Sequence, residues 1–185
     1  MNNIKPGDII FLTKRDWKWY KFWDYRGAIS TGIAIFSKDK LSMEDVPVHT
    51  AIVYERDGTL KVAEMDKEKE TESLSLYLNK YKGRIIIKSS PIQIHGKRLE
   101  IFNNNAHFSH YRYDYSNLFI YQVIKELTGK FIGRNTKYKQ ICSEFVARKY
   151  NLYVNNRYFK EPEEISPKDV WDLTSNWNII YDDHK

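Results

Sequence analysis

Apolar and polar positions along this chain switch between a period of two and a period near 3.6, and the switches mark out its elements. Lys5-Pro6-Gly7-Asp8 is a turn that feeds the apolar run Ile9–Leu12, a short strand. Val48–Tyr54 and Thr59–Glu64 are strand-like runs flanking Asp57-Gly58, the strongest hairpin signal in the chain. Lys67–Glu72 reads as a charged turn or helix start, and Leu74, Leu76 and Leu78 belong to a helical region that follows it. Arg84–Lys88 is a β-branched strand. Lys97–His110 and Ser116–Thr128 carry helical patterning, with Gly129 placed to end the second. Cys142–Tyr150 reads as a helix emerging from the turn-rich stretch Gly133–Gln140. Ser166-Pro167-Lys168-Asp169 combines an N-cap, a proline at the first helical position and an acidic first turn, starting a helix through Leu173. Strands with helices mixed among them, without an internal repeat or a low-complexity linker, argue for one α+β domain over residues 1–185.

One segment breaks the pattern. Trp17, Trp19, Tyr20, Phe22, Trp23 and Tyr25 are interleaved with Lys and Asp, and Trp19, Phe22 and Trp23 have helical spacing. The stretch near 16–25 reads as a Trp-rich insertion, either a core-covering aromatic helix, a lid or a binding surface.

Composition narrows the class. The chain is 42% hydrophobic and 15% aromatic, enough for a real core. A formal charge of +6, spread along the chain rather than clustered, is compatible with anionic lipid or polymer. Beyond that bulk charge there is no aromatic-plus-basic nucleic-acid motif. A single cysteine excludes an intramolecular disulfide and a Cys-rich zinc site. His107 and His110 sit three apart on the expected helix, but no acidic or thiol partner stands at metal-binding spacing, and His95 follows a Pro-containing segment. No glycine-rich phosphate loop or serine-hydrolase elbow is present, so neither a metal nor a cofactor is expected. There is no apolar stretch of signal-peptide or membrane-span length, and the expectation is a soluble, cytoplasmic protein.

The lone Cys142 stands at the first turn of its expected helix, where the macrodipole and free backbone N–H groups favour a thiolate. The alternative is a buried structural thiol. Upstream, His49 opens a strand, and a Cys with a distant His is a candidate dyad. If Asp57-Gly58 forms a two-residue turn, His49 lies opposite Asp66 and Ala51 lies opposite Glu64. All of the polar groups, His49, Glu64 and Asp66, then share one face of the ribbon. Glu64 is the diagonal neighbour of His49, placed to hold its imidazole in one tautomer, and Asp66 is the competitor.

Taken together, Pro6-Gly7-Asp8-Ile9-Ile10-Phe11, His49-Thr50-Ala51-Ile52-Val53, Glu64, Tyr113-Asp114-Tyr115 and Cys142-Ser143-Glu144-Phe145-Val146 resemble the permuted NlpC-type papain-like cysteine hydrolases, the YiiX-like group. The Gly-Asp and His strands precede the Cys helix, which is the order of the circularly permuted branch. The resemblance runs from about residue 4 to residue 172; the Trp-rich segment is not part of the pattern. It implies a papain-like core in which the Cys helix packs on a small antiparallel sheet. By position it makes Cys142 the nucleophile, His49 the general base and acid, and Glu64 the orienting group. It implies one oxyanion donor from the Cys142 N–H, and Tyr113 or Tyr115 lining the cleft. The implied activity is cofactor-free hydrolysis of an amide bond in a peptide or a peptidoglycan stem peptide. Permuted relatives resembling lecithin:retinol acyltransferase use the same residues for lipid acyl transfer, and Trp17, Trp19, Phe22 and Trp23 beside Lys18 and Lys21 suit a membrane surface. A third reading is a non-catalytic binder of anionic polymer, with salt-dependent affinity that survives Cys142→Ala.

Overall fold

In the computed structural model, residues 3–13, 47–65, 69–81, 83–108, 112–114 and 139–183 are described. Strand β1 (Ile9–Thr13) is buried along its whole length because it lies inside a six-stranded antiparallel sheet. Its neighbours are β2 (Pro47–Arg56) and β5 (Arg84–Ser89). Outside β2 come β3 (Thr59–Met65) and β4 (Lys69–Ser73), and outside β5 comes β8 (Asn178–Asp182). Asp57 and Gly58 both take positive φ, 54° and 68°, as a tight turn between right-twisted strands requires. The hairpin register then pairs Ala51 with Glu64, as the sequence predicts.

Alternating side chains give the sheet two apolar faces. Ile9, Phe11, Ile52, Tyr54, Ala63 and Met65 meet α2 (Gly96–Phe108), α3 (Cys142–Val154) and α4 (Pro167–Leu173). Phe102, Phe145, Tyr150, Tyr153 and Val170 fill that layer. The opposite face, with Ile10, Leu12, Ala51, Val53 and Val62, packs on α1 (Leu74–Lys80) through Leu74, Tyr77 and Leu78. Ser166 caps α4 in a reciprocal capping box with Asp169, and Ser73 caps α1 by accepting from the Leu76 N–H at 3.4 Å.

The Gly-Asp motif is a clamp. Gly7 donates to the Val53 carbonyl and the Asp8 carbonyl accepts from Val53, both at 2.9 Å. The Asp8 carboxylate accepts from the Lys5 and Ser90 N–H groups at 2.8 and 2.9 Å. Gly7 has φ of 89°, and a Cβ there would stand 2.5 Å from the Tyr153 ring, so α3 is seated directly on this turn.

Two expectations change. The charged stretch expected as a turn or helix start over Lys67–Glu72 contains strand β4, which pairs with β3 from Met65↔Lys69 to Lys61↔Ser73. Its Lys and Glu residues sit on a sheet edge, where charge resists further pairing, and so carry no β signal in composition. The sheet expected to be small has six strands, because β8 returns from the C-terminal region to pair with β5. There the Arg84 guanidinium grips Asp182 through two hydrogen bonds of 2.7 Å. The Trp-rich segment, the helix expected over Ser116–Thr128, and Asp66, His110 and Tyr115 lie outside the described residues.

Candidate active site

The α3 helix starts without a side-chain cap, because Ile141 occupies the N-cap. A serine or aspartate there would take the first free N–H groups for itself. With isoleucine they stay available to Cys142, whose sulfur accepts from the Ser143 N–H. A second main-chain donor comes from β2. Val53 turns its N–H and carbonyl toward β1, so Thr50, three residues earlier, turns its own toward β3. The β2–β3 register begins only at Ala51↔Glu64, and the Thr50 N–H, the next one past it, is donated to the Cys142 sulfur.

His49 lies at the same open end of β2, paired with Leu12 of β1. Its Nε2 hydrogen-bonds Glu64 Oε2 at 2.8 Å, and the ring also hydrogen-bonds the Cys142 sulfur. With Nε2 engaged by the carboxylate, Nδ1 is the nitrogen left for the thiol. Glu64 Oε2 accepts in addition from the Tyr77 hydroxyl at 2.7 Å. The structure thus brings Cys142, His49 and Glu64 into one line, with the imidazole between sulfur and carboxylate. Burial pushes the imidazole down, but the Cys142 sulfur first, and Glu64 after it, hold it well above the ordinary histidine value of 6.5. Burial pushes the thiol up, and the His49 charge, followed by the Thr50 and Ser143 N–H groups, brings it below its ordinary value. Glu64 is raised by burial yet ends lowered through His49, Tyr77 and the charge of Lys80. All three directions favour a resting thiolate–imidazolium pair steadied by a carboxylate.

Of the other expected site residues, Tyr113 lies on β6 (Arg112–Tyr113), whose parallel register with β7 (Lys139–Gln140) pairs it with Gln140, two positions before Cys142. Sequence reasoning overlooked Thr50 and Tyr77. The Thr50 contribution is main-chain and leaves no letter in the sequence. Tyr77 follows Leu74 at helical spacing and reads as one more core aromatic. His107 is a packing residue, with Nδ1 2.9 Å from the Tyr54 hydroxyl.

No protein-family model matches the chain, and no curated protein matches it. Among solved structures, the crystal structure of the metalloprotein yiiX from Escherichia coli O157:H7 matches with a TM-score of 0.50 and 15% sequence identity. The match covers 97% of each chain, and it shows that this chain has a YiiX-like α+β fold.

Proposed function

We propose that the protein is a thiol hydrolase of the permuted papain-like kind, acting on an amide bond through Cys142, His49 and Glu64. The observation that supports it most is the continuous hydrogen-bonded line from sulfur through imidazole to carboxylate, with the thiol lowered and the imidazole raised. In this reading the Cys142 thiolate attacks the carbonyl carbon, and the carbonyl π pair moves onto oxygen. By family resemblance the Cys142 N–H, at the start of α3, donates to that charge. His49 passes its proton to the departing amine as the C–N bond breaks, leaving a thioacyl enzyme. Water, deprotonated by His49, adds to the thioacyl carbon, and the C–S bond breaks to release the acid and restore the thiolate–imidazolium pair. Glu64 keeps the imidazole in register throughout. By family resemblance the substrate is a peptide or a peptidoglycan stem peptide.

The neighbour yiiX is described as a metalloprotein. Here, among the described residues, no group of three or more His, Cys, Asp and Glu side chains is placed to hold a metal ion. His49 spends both ring nitrogens on its two partners, so the line does not converge on a point.

The test is the pH dependence of Cys142 alkylation by iodoacetamide in the wild type and in His49→Ala. Cys142 is 1% exposed, so the position of the inflection carries the information rather than the absolute rate. An inflection well below the free-thiol value of about 8.5 that is lost in the variant supports the reading. An inflection near 8.5 in both proteins overturns it and returns Cys142 to a structural role. Lipid acyl transfer uses the same residues, and the aromatic–lysine run from Trp17 to Trp23 favours it as the second reading. Co-sedimentation with anionic liposomes distinguishes the two, since a peptide hydrolase has no need to bind them.

A further inference from the structure

The carboxylate that orients His49 is itself gripped by the helix that packs on its own face of the sheet. Tyr77 donates to Glu64 Oε2 at 2.7 Å, the same oxygen that accepts from His49 Nε2 at 2.8 Å. A glutamate side chain ends in a broad, soft torsion, so one hydrogen bond leaves its carboxylate free to swing. Two donors on one oxygen, one from β2 and one from α1, fix where that oxygen stands.

The Tyr77 hydroxyl has little freedom to do otherwise. Tyr77 is 4% exposed, packed in the layer formed by Ile10, Leu12, Ala51, Val53, Leu74 and Leu78. The helix beneath it is located by the Ser73 cap and by the buried Leu74 and Leu78. Two polar groups near Glu64 make hydrogen bonds to other residues: Tyr81 donates to the Thr13 carbonyl at 3.4 Å, and Lys80 to Glu72 at 3.1 Å. Both still act on the pocket electrostatically. Lys80 favours the Glu64 anion, and the Tyr81 hydroxyl is pushed up to about 12 by burial and then by that anion. Burial, then Glu64, hold Tyr77 well above the ordinary tyrosine value, and Tyr81 and the Cys142 sulfur add to this, so it remains a donor.

We infer that Tyr77 is a positioning residue of the site, acting on His49 and Cys142 through the Glu64 carboxylate. The inference rests on the Cys142–His49–Glu64 reading above. Its consequence is that α1, a helix whose remaining buried residues are ordinary core leucines, is part of the chemical apparatus. Removing the hydroxyl lets the carboxylate swing, weakens the stabilisation of the imidazolium and raises the Cys142 inflection.

The experiment compares iodoacetamide alkylation against pH in the wild type, Tyr77→Phe, Glu64→Gln and the double variant, with folding of each followed by circular dichroism. Phenylalanine keeps the ring in its layer and deletes only the donor. The expected result is an upward shift of the alkylation inflection in Tyr77→Phe, in the same direction as the shift in Glu64→Gln and smaller than it. In the Glu64→Gln background the same change is expected to add almost nothing, because the two residues act as a unit. A Tyr77→Phe profile that superimposes on the wild type while Glu64→Gln shifts overturns the inference and leaves the triad standing. So does an undiminished Tyr77→Phe effect in the Glu64→Gln background, which marks a packing role. If Glu64→Gln and His49→Ala also leave the profile unmoved, the triad reading fails and this inference falls with it. The His49 imidazole titration by NMR gives a second readout that does not depend on access to the thiol.

Discussion

His49, half-buried, and Lys88, buried, are bases on the two strands that flank β1, and loss of water acts on both in the same direction. His49 sits across from Leu12 and Lys88 across from Ile9. Yet the imidazole is held well above its ordinary value, and the Lys88 amine is lowered to about 8, by burial that the charge of Asp172 opposes only in part. The difference lies in the partners. His49 stands between a thiol and a carboxyl group, both of which can ionise to full charge beside it. Lys88 Nζ, which is 2% exposed as a residue, points at the carbonyls of Trp171 and Thr174 at 3.0 and 3.1 Å. It also lies 3.5 Å from the centre of the Trp171 ring. Carbonyl dipoles and a π face attract a cation, but more weakly than an anion repays desolvation. Lys88 therefore serves the C-terminal end of α4 as a cap, while His49 answers two ionisable neighbours.

The largest expected effect tests the anionic side of this comparison. Cys142→Ala removes the strongest influence holding the His49 imidazole up and leaves burial opposed by Glu64 alone. The imidazole, followed by NMR, is expected to fall from well above 6.5 to near or below it. A titration that stays high would show Glu64 to be sufficient and would break the contrast with Lys88 at its root.

Lys88→Met tests the other side. The substitution keeps an unbranched chain and deletes the hydrogen bonds to α4, at an expected cost of about 2–3 kcal/mol in urea denaturation. The folded amine lies near 8 against an ordinary 10.5, so its contribution is fully present above 10.5 and declines as pH falls through about 8. The stability gap between wild type and variant should widen from pH 8 to 10.5. A gap that stays constant would mean that the amine is not desolvated.

Glu144 supplies a smaller, intermediate case. It is 2% exposed and shares Arg148 with Glu163, at 3.0 and 3.4 Å. Burial raises its carboxyl to about 7 against the Arg148 charge, from an ordinary 4.5. A raised carboxyl stabilises the fold most below 4.5, and that contribution is lost as pH rises through about 7. Glu144→Gln should flatten the wild-type decline in stability over this window, by about 1–2 kcal/mol. Urea titrations at several pH values measure it, and parallel curves for the two proteins would remove Glu144 as the source.

Much of the site was readable from the letters because short-range chemistry wrote it. The Asp57-Gly58 turn set a register that carried His49 and Glu64 to one face. The Ser166-Pro167 pair announced α4, and the lone Cys142 at a helix start marked the nucleophile proposed above. What escaped was written at long range. Strand β8 pairs with β5 from the other end of the chain, and β4 hides its strand character under charge that an edge position tolerates. Lys88 looks like the polar end of a strand until α4 covers it. Tyr77 spells an apolar helix face, and only the fold carries its hydroxyl to the carboxylate.

The Thr50 N–H on the Cys142 sulfur carries a different kind of consequence, one for descent rather than for chemistry. The donor belongs to the main chain, so any residue except proline can supply it. The Thr50 hydroxyl, buried and without a hydrogen-bond partner among the described residues, adds nothing to the contact. Position 50 can therefore drift to valine or another β-branched residue across generations while the sulfur keeps its donor. In a lineage that had done so, aligned letters would show a variable site where the course of β2 had preserved a fixed one.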